Sequence, residues 1–395
     1  MTEQKAKRLA CELSALSVFR GILKYDTMSA FIGLLSTDGD RQEKLRLFGG
    51  FVYSLAEDNY CFSDFLCRAV FSDENRYIIS AAQKTEIPQS LENNAKRELE
   101  IFSKLTELDA NDLCGGLDFD GYIPQFDNKK TDFVKIYEER LNNVGKYGYG
   151  IFATAKMFRL SGEEIVPVKS ADNTSLTEFV GYEEERKQVF ENTRALCEGR
   201  PAANVLLCGD AGTGKSSTVK ACANYFADYG VRLIELRKDQ LFSLSYIMGR
   251  IAENPLKFII FIDDLSFNKN DDCFSMLKAA LEGSASAKAD NAVIYATSNR
   301  RHIVKESFSD REGGDDIHHS DTVQELMSLS DRFGLTVYFE KPNKALYLEI
   351  IHSLARKNEI KIDLKELDIK AEAFALSRGS RSPRAAEQFI NSLIK

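Results

Sequence analysis

The sequence predicts an α/β domain built on a parallel five-stranded sheet, closed by a C-terminal helical lid and preceded by a mostly α-helical N-terminal domain. Three observations carry this prediction. A glycine-rich turn, Gly209 to Ser217, sits between the apolar run Val205–Cys208 and a helical stretch. Four further short apolar runs follow it, separated by segments with helical spacing. Residues 2 to about 146, and those from 342 on, instead repeat apolar residues every three or four positions.

In the N-terminal part, Leu9, Leu13, Leu16 and Phe19 make one helical stripe, and Leu45, Phe48, Val52 and Leu55 a second. Phe62, Phe65, Leu66 and Val70 suggest a third, and Leu91, Leu99, Phe102 and Leu105 a later one. Such stripes are core-forming faces, and no catalytic constellation accompanies them. The stretch from Cys114 to Asn128 is rich in Gly and Asp and reads as a long loop. Gly145–Gly150 breaks the helical pattern. Ile151–Leu160 and Ile165–Val168, joined by Ser161-Gly162, read as a β-hairpin, and the polar stretch Lys169–Ser175 as a linker. The expected organisation is a helical domain over 1–150, hairpin and linker over 151–175, an α/β subdomain over 176–341 and a helical lid over 342–395.

The α/β strands are expected at Val205–Cys208, Val231–Leu236, Phe258–Ile262, Ala292–Ala296 and Leu335–Phe339. Most are continuously apolar, as strands covered on both faces must be. Between them, Ser216–Tyr229 places Val219, Cys222, Ala223 and Phe226 on one helical face, and Gln240–Ala252 and Asp271–Leu281 are further helices. In the lid, Leu346, Ile350, Ile351 and Leu354 share a face.

The chemistry-bearing residues sit at strand ends. Gly209-Asp210-Ala211-Gly212-Thr213-Gly214-Lys215-Ser216-Ser217 matches G-x-x-x-x-G-K-[ST], the phosphate-binding P-loop. Its glycines let successive N–H groups point at phosphate oxygens, and the following helix adds its unpaired amides. Lys215 can reach β- and γ-phosphates, and the Ser216 hydroxyl can ligate Mg2+. Asp263 and Asp264 end an apolar strand; the first can hold the Mg2+ and the second can orient or deprotonate a water. Asn299 ends the next buried strand and can touch a γ-phosphate or position water, its ordinary alternative being a turn residue. Arg332 precedes the last strand and could reach a neighbouring subunit's γ-phosphate; a surface ion pair is the alternative. Arg384, after Pro383 at the start of the last helix, could fold over a nucleotide or be simply solvated. Residues 306–325, with adjacent His318 and His319, read as a polar insertion loop rather than a metal site, because neighbouring histidines do not easily converge on one ion.

In this order, P-loop, hydrophobic strand with two aspartates, strand ending in Thr-Ser-Asn, Ser-Asp-Arg-Phe-Gly, and helical lid with Pro-Arg, the motifs resemble those of an AAA+ ATPase module over about 176 to 395. More narrowly, FVGYEEE, GDAGTGKSS, FIDDLSF, YATSNRRH and SLSDRFGL resemble a bacterial family of uncharacterised ATP-binding AAA+ proteins, similar in its ATPase module to initiator and helicase-loader ATPases. The resemblance implies ATP and Mg2+ as ligands. It also implies that Val180 and Gly181 contact adenine and Gly209–Ser217 the phosphates, with Asp263 in the Mg2+ shell. Asn299 would be a first sensor, Arg332 an arginine finger acting between subunits and Arg384 a second sensor. Asp264 departs from the broader superfamily, where Glu commonly stands; a carboxylate one methylene shorter implies slow, switch-like turnover.

The formal net charge of -8 gives no support to non-specific coating of nucleic acid. Apolar content of 44% fits an ordinary globular chain, and the eight scattered cysteines lack a C-x-x-C pair, which fits a reduced cytoplasmic protein. No apolar run approaches the roughly 18 residues of a membrane span. The expected function is an ATP-hydrolysing remodeller or switch, a homo-oligomer that can form a ring, whose helical domain selects a protein or nucleic-acid client. Two alternatives stand beside it. One is a loader-type switch binding nucleic acid or a helicase partner with slow hydrolysis; the other is a small-molecule kinase, which the two arginines and the lid disfavour.

Overall fold

The computed structural model describes residues 1–114, 119–168, 174–265, 272–281, 289–299 and 332–394. The chain forms two compact units, Met1–Thr154 and Ala155–Lys395.

The first unit is helical: α1 (Glu3–Ser14), α2 (Asp26–Ser36), α3 (Arg41–Ser54), α4 (Phe62–Ser72), α5 (Arg76–Gln83), α6 (Gln89–Leu105), α7 (Ala110–Cys114), α8 (Phe133–Asn142) and α9 (Val144–Tyr147). Side chains of Asp40, Asn75 and Asp132 cap α3, α5 and α8 by accepting from the amides of Glu43, Ile78 and Lys135. The core is rich in phenylalanine, with Phe31, Phe51, Phe62 and Phe65 fully buried and in mutual ring contact. One stripe breaks earlier than its spacing predicts. The helix carrying Leu9 and Leu13 ends at Ser14, although Leu16 and Phe19 are buried as expected. The cause is Glu98 of α6, whose carboxylate accepts from the amides of Ser17 (2.7 Å), Val18 (3.1 Å) and Phe19 (2.9 Å) and from the Ser17 hydroxyl (2.8 Å). Three consecutive amides aimed at one carboxylate cannot also serve a helix ladder.

In the second unit the five expected strands are all present: β3 (Val205–Gly209), β4 (Val231–Leu236), β5 (Lys257–Ile262), β6 (Ala292–Ser298) and β7 (Leu335–Phe339). The hairpin is shorter than expected, β1 (Met157–Ser161) and β2 (Glu164–Pro167), because Gly150–Ala153 turns as a 3-10 helix. It also joins the same sheet: among the described residues seven strands run in the order β2-β1-β4-β5-β6-β3-β7. Only the β1–β2 pair is antiparallel. Phe158 and Leu160 are buried while Arg159 is exposed, so β1 has one apolar face and an unsatisfied backbone edge, and β4 supplies the partner for both.

Helices α10 (Glu183–Cys197) and α11 (Lys215–Phe226) cover one face of the sheet through Val189, Leu196, Val219, Cys222 and Phe226. Alternate residues such as Leu206, Ile260, Ile262 and Ile294 point to the other face and are equally buried. Next come α12 (Leu244–Ile251), preceded by a 3-10 turn at Lys238–Ser243, and α13 (Asp272–Leu281). The lid is α14 (Lys344–Lys357), α15 (Leu364–Ser377) and α16 (Pro383–Leu393), with a core of Tyr347, Ile351, Leu367, Ala371, Phe389 and Ile390. No helix among the described residues is long and apolar enough to cross a membrane. The parallel direction of β3 to β7 sends the turns after β3, β5 and β6 to one edge, where α/β sheets bind their ligands.

Candidate functional site

At that edge lies a cavity of about 400 Å3, within the range of small-ligand pockets. Ala211 to Ser217, Asp263, Asp264, Thr297 and Asn299 line one end. Glu178, Phe179, Val180, Arg186, Ile350, Leu354, Pro383, Arg384 and Glu387 line the remainder.

The loop's backbone is dictated by glycine. Gly209 has φ +137°, and a Cβ there would stand 2.0 Å from the Phe339 carbonyl oxygen of the neighbouring strand. Gly212 has φ +76°, and its Cβ would press the lid at 3.0 Å from the Arg384 Cβ. The lid closes directly on this point, because the Arg384 amide donates to the Gly212 carbonyl at 3.2 Å. Ser382 makes that approach possible by capping α16 through the Ala385 amide, with Pro383 in the first turn.

Lys215 is 5% exposed, and burial holds its ammonium below the ordinary lysine value. Its Nζ donates to the carbonyls of Gly209 (2.9 Å) and Asp210 (2.7 Å) and to Asn299 Oδ1 (2.9 Å). Asn299 Nδ2 in turn donates to Asp264 Oδ1 at 2.7 Å, so a single amide links the loop lysine to the second aspartate. Asp264 adopts φ +54°, a left-handed backbone that costs a non-glycine residue about 1–2 kcal/mol. Its amide donates to Thr297 Oγ1 at 2.9 Å, which fixes that strained turn. Ser216 and Thr297 both donate hydroxyls to Asp263 Oδ1, each at 2.6 Å. Hydroxyl and carboxylate oxygens meeting at one point make the hard donor set that Mg2+ prefers.

Of the expected site residues, Val180, Ala211–Ser217, Asp263, Asp264, Asn299 and Arg384 thus lie around one cavity. Gly181, Gly209 and Asp210 are not among its lining residues; the Gly181 carbonyl accepts from Arg186, and those of Gly209 and Asp210 from Lys215. Arg332 is elsewhere. It sits in the turn before Leu335, which pairs with Val205, at the end of β3 remote from Gly209. At about 3.3 Å per residue, the five residues of β3 separate it from the loop by roughly 15 Å. Residues 306–325 lie outside the described residues.

Several cavity residues carried no expectation. Thr297 was legible as a hydroxyl on an otherwise apolar strand. Ile350 and Leu354, on the lid's apolar helical face, also form an apolar wall of the cavity. Arg186 was hidden among three glutamates, yet Arg186, Val189, Thr193 and Leu196 share the buried stripe of α10. A charge on an apolar stripe is the signal that finds it.

The model of the family described as "Protein of unknown function (DUF815)" matches residues 153–395, more than half of the chain. The chain belongs to this family. No curated protein matches the sequence. The Thermotoga maritima RuvB Holliday junction branch migration motor is similar at 15% identity and a TM-score of 0.34, covering 55% of this chain and 72% of that one. A RuvB variant from the same organism is similar at 16% identity, with the same TM-score and coverage. In this DUF815 member, the P-loop motif follows a strand of the parallel sheet, and the start of the last lid helix meets it at Gly212.

Proposed function

We propose that this DUF815 protein binds and hydrolyses ATP with Mg2+ in the cavity, as an oligomer whose conformational change remodels or switches a partner. The observation that carries the reading is the linked set Lys215–Asn299–Asp264 beside Ser216–Asp263–Thr297, drawn from three strand ends onto one cavity. Amides of the Gly209–Ser217 loop and Lys215 hold the β- and γ-phosphates; on binding, Lys215 exchanges the Gly209 and Asp210 carbonyls for phosphate oxygens. Ser216 and Asp263 would hold Mg2+, which would supply neutralising charge at those phosphates. Val180, Ile350 and Leu354 enclose the base, and Arg384 reaches over the phosphates from the lid.

Water attacks the γ-phosphorus, Asp264 takes its proton, and ADP departs with the electron pair of the broken bond. Asn299 aligns Asp264 for that role. Arg332 cannot reach the cavity of its own chain, so its expected action is on a neighbour's γ-phosphate. The seven described cysteines are free, which suits a reducing cytoplasm. The short Asp264 side chain, already engaged by Asn299, favours slow turnover, as a loader-type switch of a nucleic-acid or helicase partner would need.

Arg332→Ala tests the composite site. ATP affinity should stay within about twofold while hydrolysis falls on the order of 10^3-fold. Mixing Arg332→Ala with Lys215→Ala chains should restore part of the rate, because some interfaces then hold both intact halves. Full wild-type turnover in a demonstrably monomeric preparation contradicts the proposal.

A further inference from the structure

The second unit contains a buried cation that the motifs do not use. Arg186 is 8% exposed. Its Nη1 donates to the Gly181 carbonyl, and its guanidinium stacks on Phe179 at 4.5 Å. Nε is buried with no hydrogen-bond partner. Among the described residues the guanidinium makes no ion pair; Glu183 and Glu185 act on it only through space, and Glu183 is spent on the Gly181 amide at 2.9 Å. Burial lowers its pKa to about 10. A buried charge without a counter-charge is costly, and a protein keeps one where an anion arrives to complete it.

The position of Arg186 says which anion. It lines the same cavity, and Nη2 lies 4.0 Å from where a Cβ on Gly214 would stand. On one side is the phosphate loop, with Lys215 and Asp263; on the other are Phe179 and Val180, with Ile350 and Leu354. A nucleotide with its terminal phosphates on Lys215 and its base against Val180 passes its ribose and α-phosphate between these two. Only the α-phosphate is anionic.

We propose that Arg186 is the ligand of the α-phosphate, a binding residue outside the P-loop that joins the base segment to the phosphate loop. The inference rests on the nucleotide reading of the cavity. It has a distinctive consequence: the contact is common to AMP, ADP and ATP, so Arg186 sets affinity without distinguishing ATP from ADP.

The test is competitive titration of adenosine, AMP, ADP and ATP against the full-length wild type, Arg186→Met and Arg186→Lys, with melting of the ligand-free proteins alongside. In the wild type AMP should bind more tightly than adenosine by about 10- to 100-fold, the worth of hydrogen bonds to a charged group. Arg186→Met should lose most of that gain, weaken ADP and ATP by one common factor, and leave adenosine unchanged. Arg186→Lys keeps the charge and the stem but not the planar fork, so it should recover part of the gain; it also carries the test if the Met variant does not fold. Equal weakening of adenosine and AMP would mean that Arg186 only braces the base segment, and would overturn the assignment. A larger loss for ATP than for ADP, or no loss, would overturn it as well. If the wild type binds none of the four, both this inference and the nucleotide reading fall; if it binds and Arg186→Met matches it, only the role of Arg186 falls.

Discussion

Glu98 in the helical unit and Arg186 in the α/β unit are both buried charges, and their surroundings treat them differently. Both Glu98 oxygens are occupied by three amides and a hydroxyl, and no acceptor capacity is left for a ligand. Asp58 in the same unit is likewise met by a two-pronged Arg68, at 2.8 and 2.7 Å. Arg186 keeps an unpartnered Nε beside a cavity, and nearby Asp264 holds a strained backbone. Saturated buried charge fixes a fold, whereas unsaturated buried charge and strain around a cavity await a ligand.

Two experiments press on this contrast. The larger effect is expected at Asp264. Asp264→Asn keeps a side chain that can pair with Asn299 but removes the proposed proton acceptor, so phosphate release should fall about 10^2- to 10^4-fold with ATP binding retained. Normal hydrolysis by this variant would strip Asp264 of its role. The second concerns Glu98. Glu98→Ala leaves the amides of Ser17, Val18 and Phe19 without their acceptor, and urea melts should show a loss of about 3 kcal/mol. ATP affinity of the folded fraction should not change. A loss below about 1 kcal/mol would show that water replaces the carboxylate easily, and the contrast with Arg186 would weaken.

How legible each region was follows from the same physics. The P-loop, the five apolar strands and the aspartate pair could be read directly, because glycine at fixed offsets and strands covered on both faces leave local signatures. Local patterns failed where a distant residue decided the outcome. The Leu9–Phe19 stripe could not announce that Glu98, about eighty positions away, captures the amides that would have continued the helix. The hairpin at 157–167 could be read as a hairpin, but its pairing with β4 depends on an edge that exists only after the sheet forms. In the site, the sequence named the side chains at the strand ends and missed the links between them. Nothing local says that Asn299 joins Lys215 to Asp264, or that Thr297 fixes both aspartates. Arg332 was placed correctly before the last strand, yet only the register of β7 against β3 shows that it lies at the far end of the sheet from the loop.

The central claim is that the cavity around Lys215 holds a magnesium nucleotide. Calorimetric titration of ATP, with and without Mg2+, into wild type and Lys215→Ala tests it most directly. One ATP should bind per wild-type chain, more tightly with Mg2+, and Lys215→Ala should lose affinity on the order of 100-fold while its ligand-free melting temperature holds. Absence of binding by the wild type, or equal affinity in the two proteins, would contradict the account.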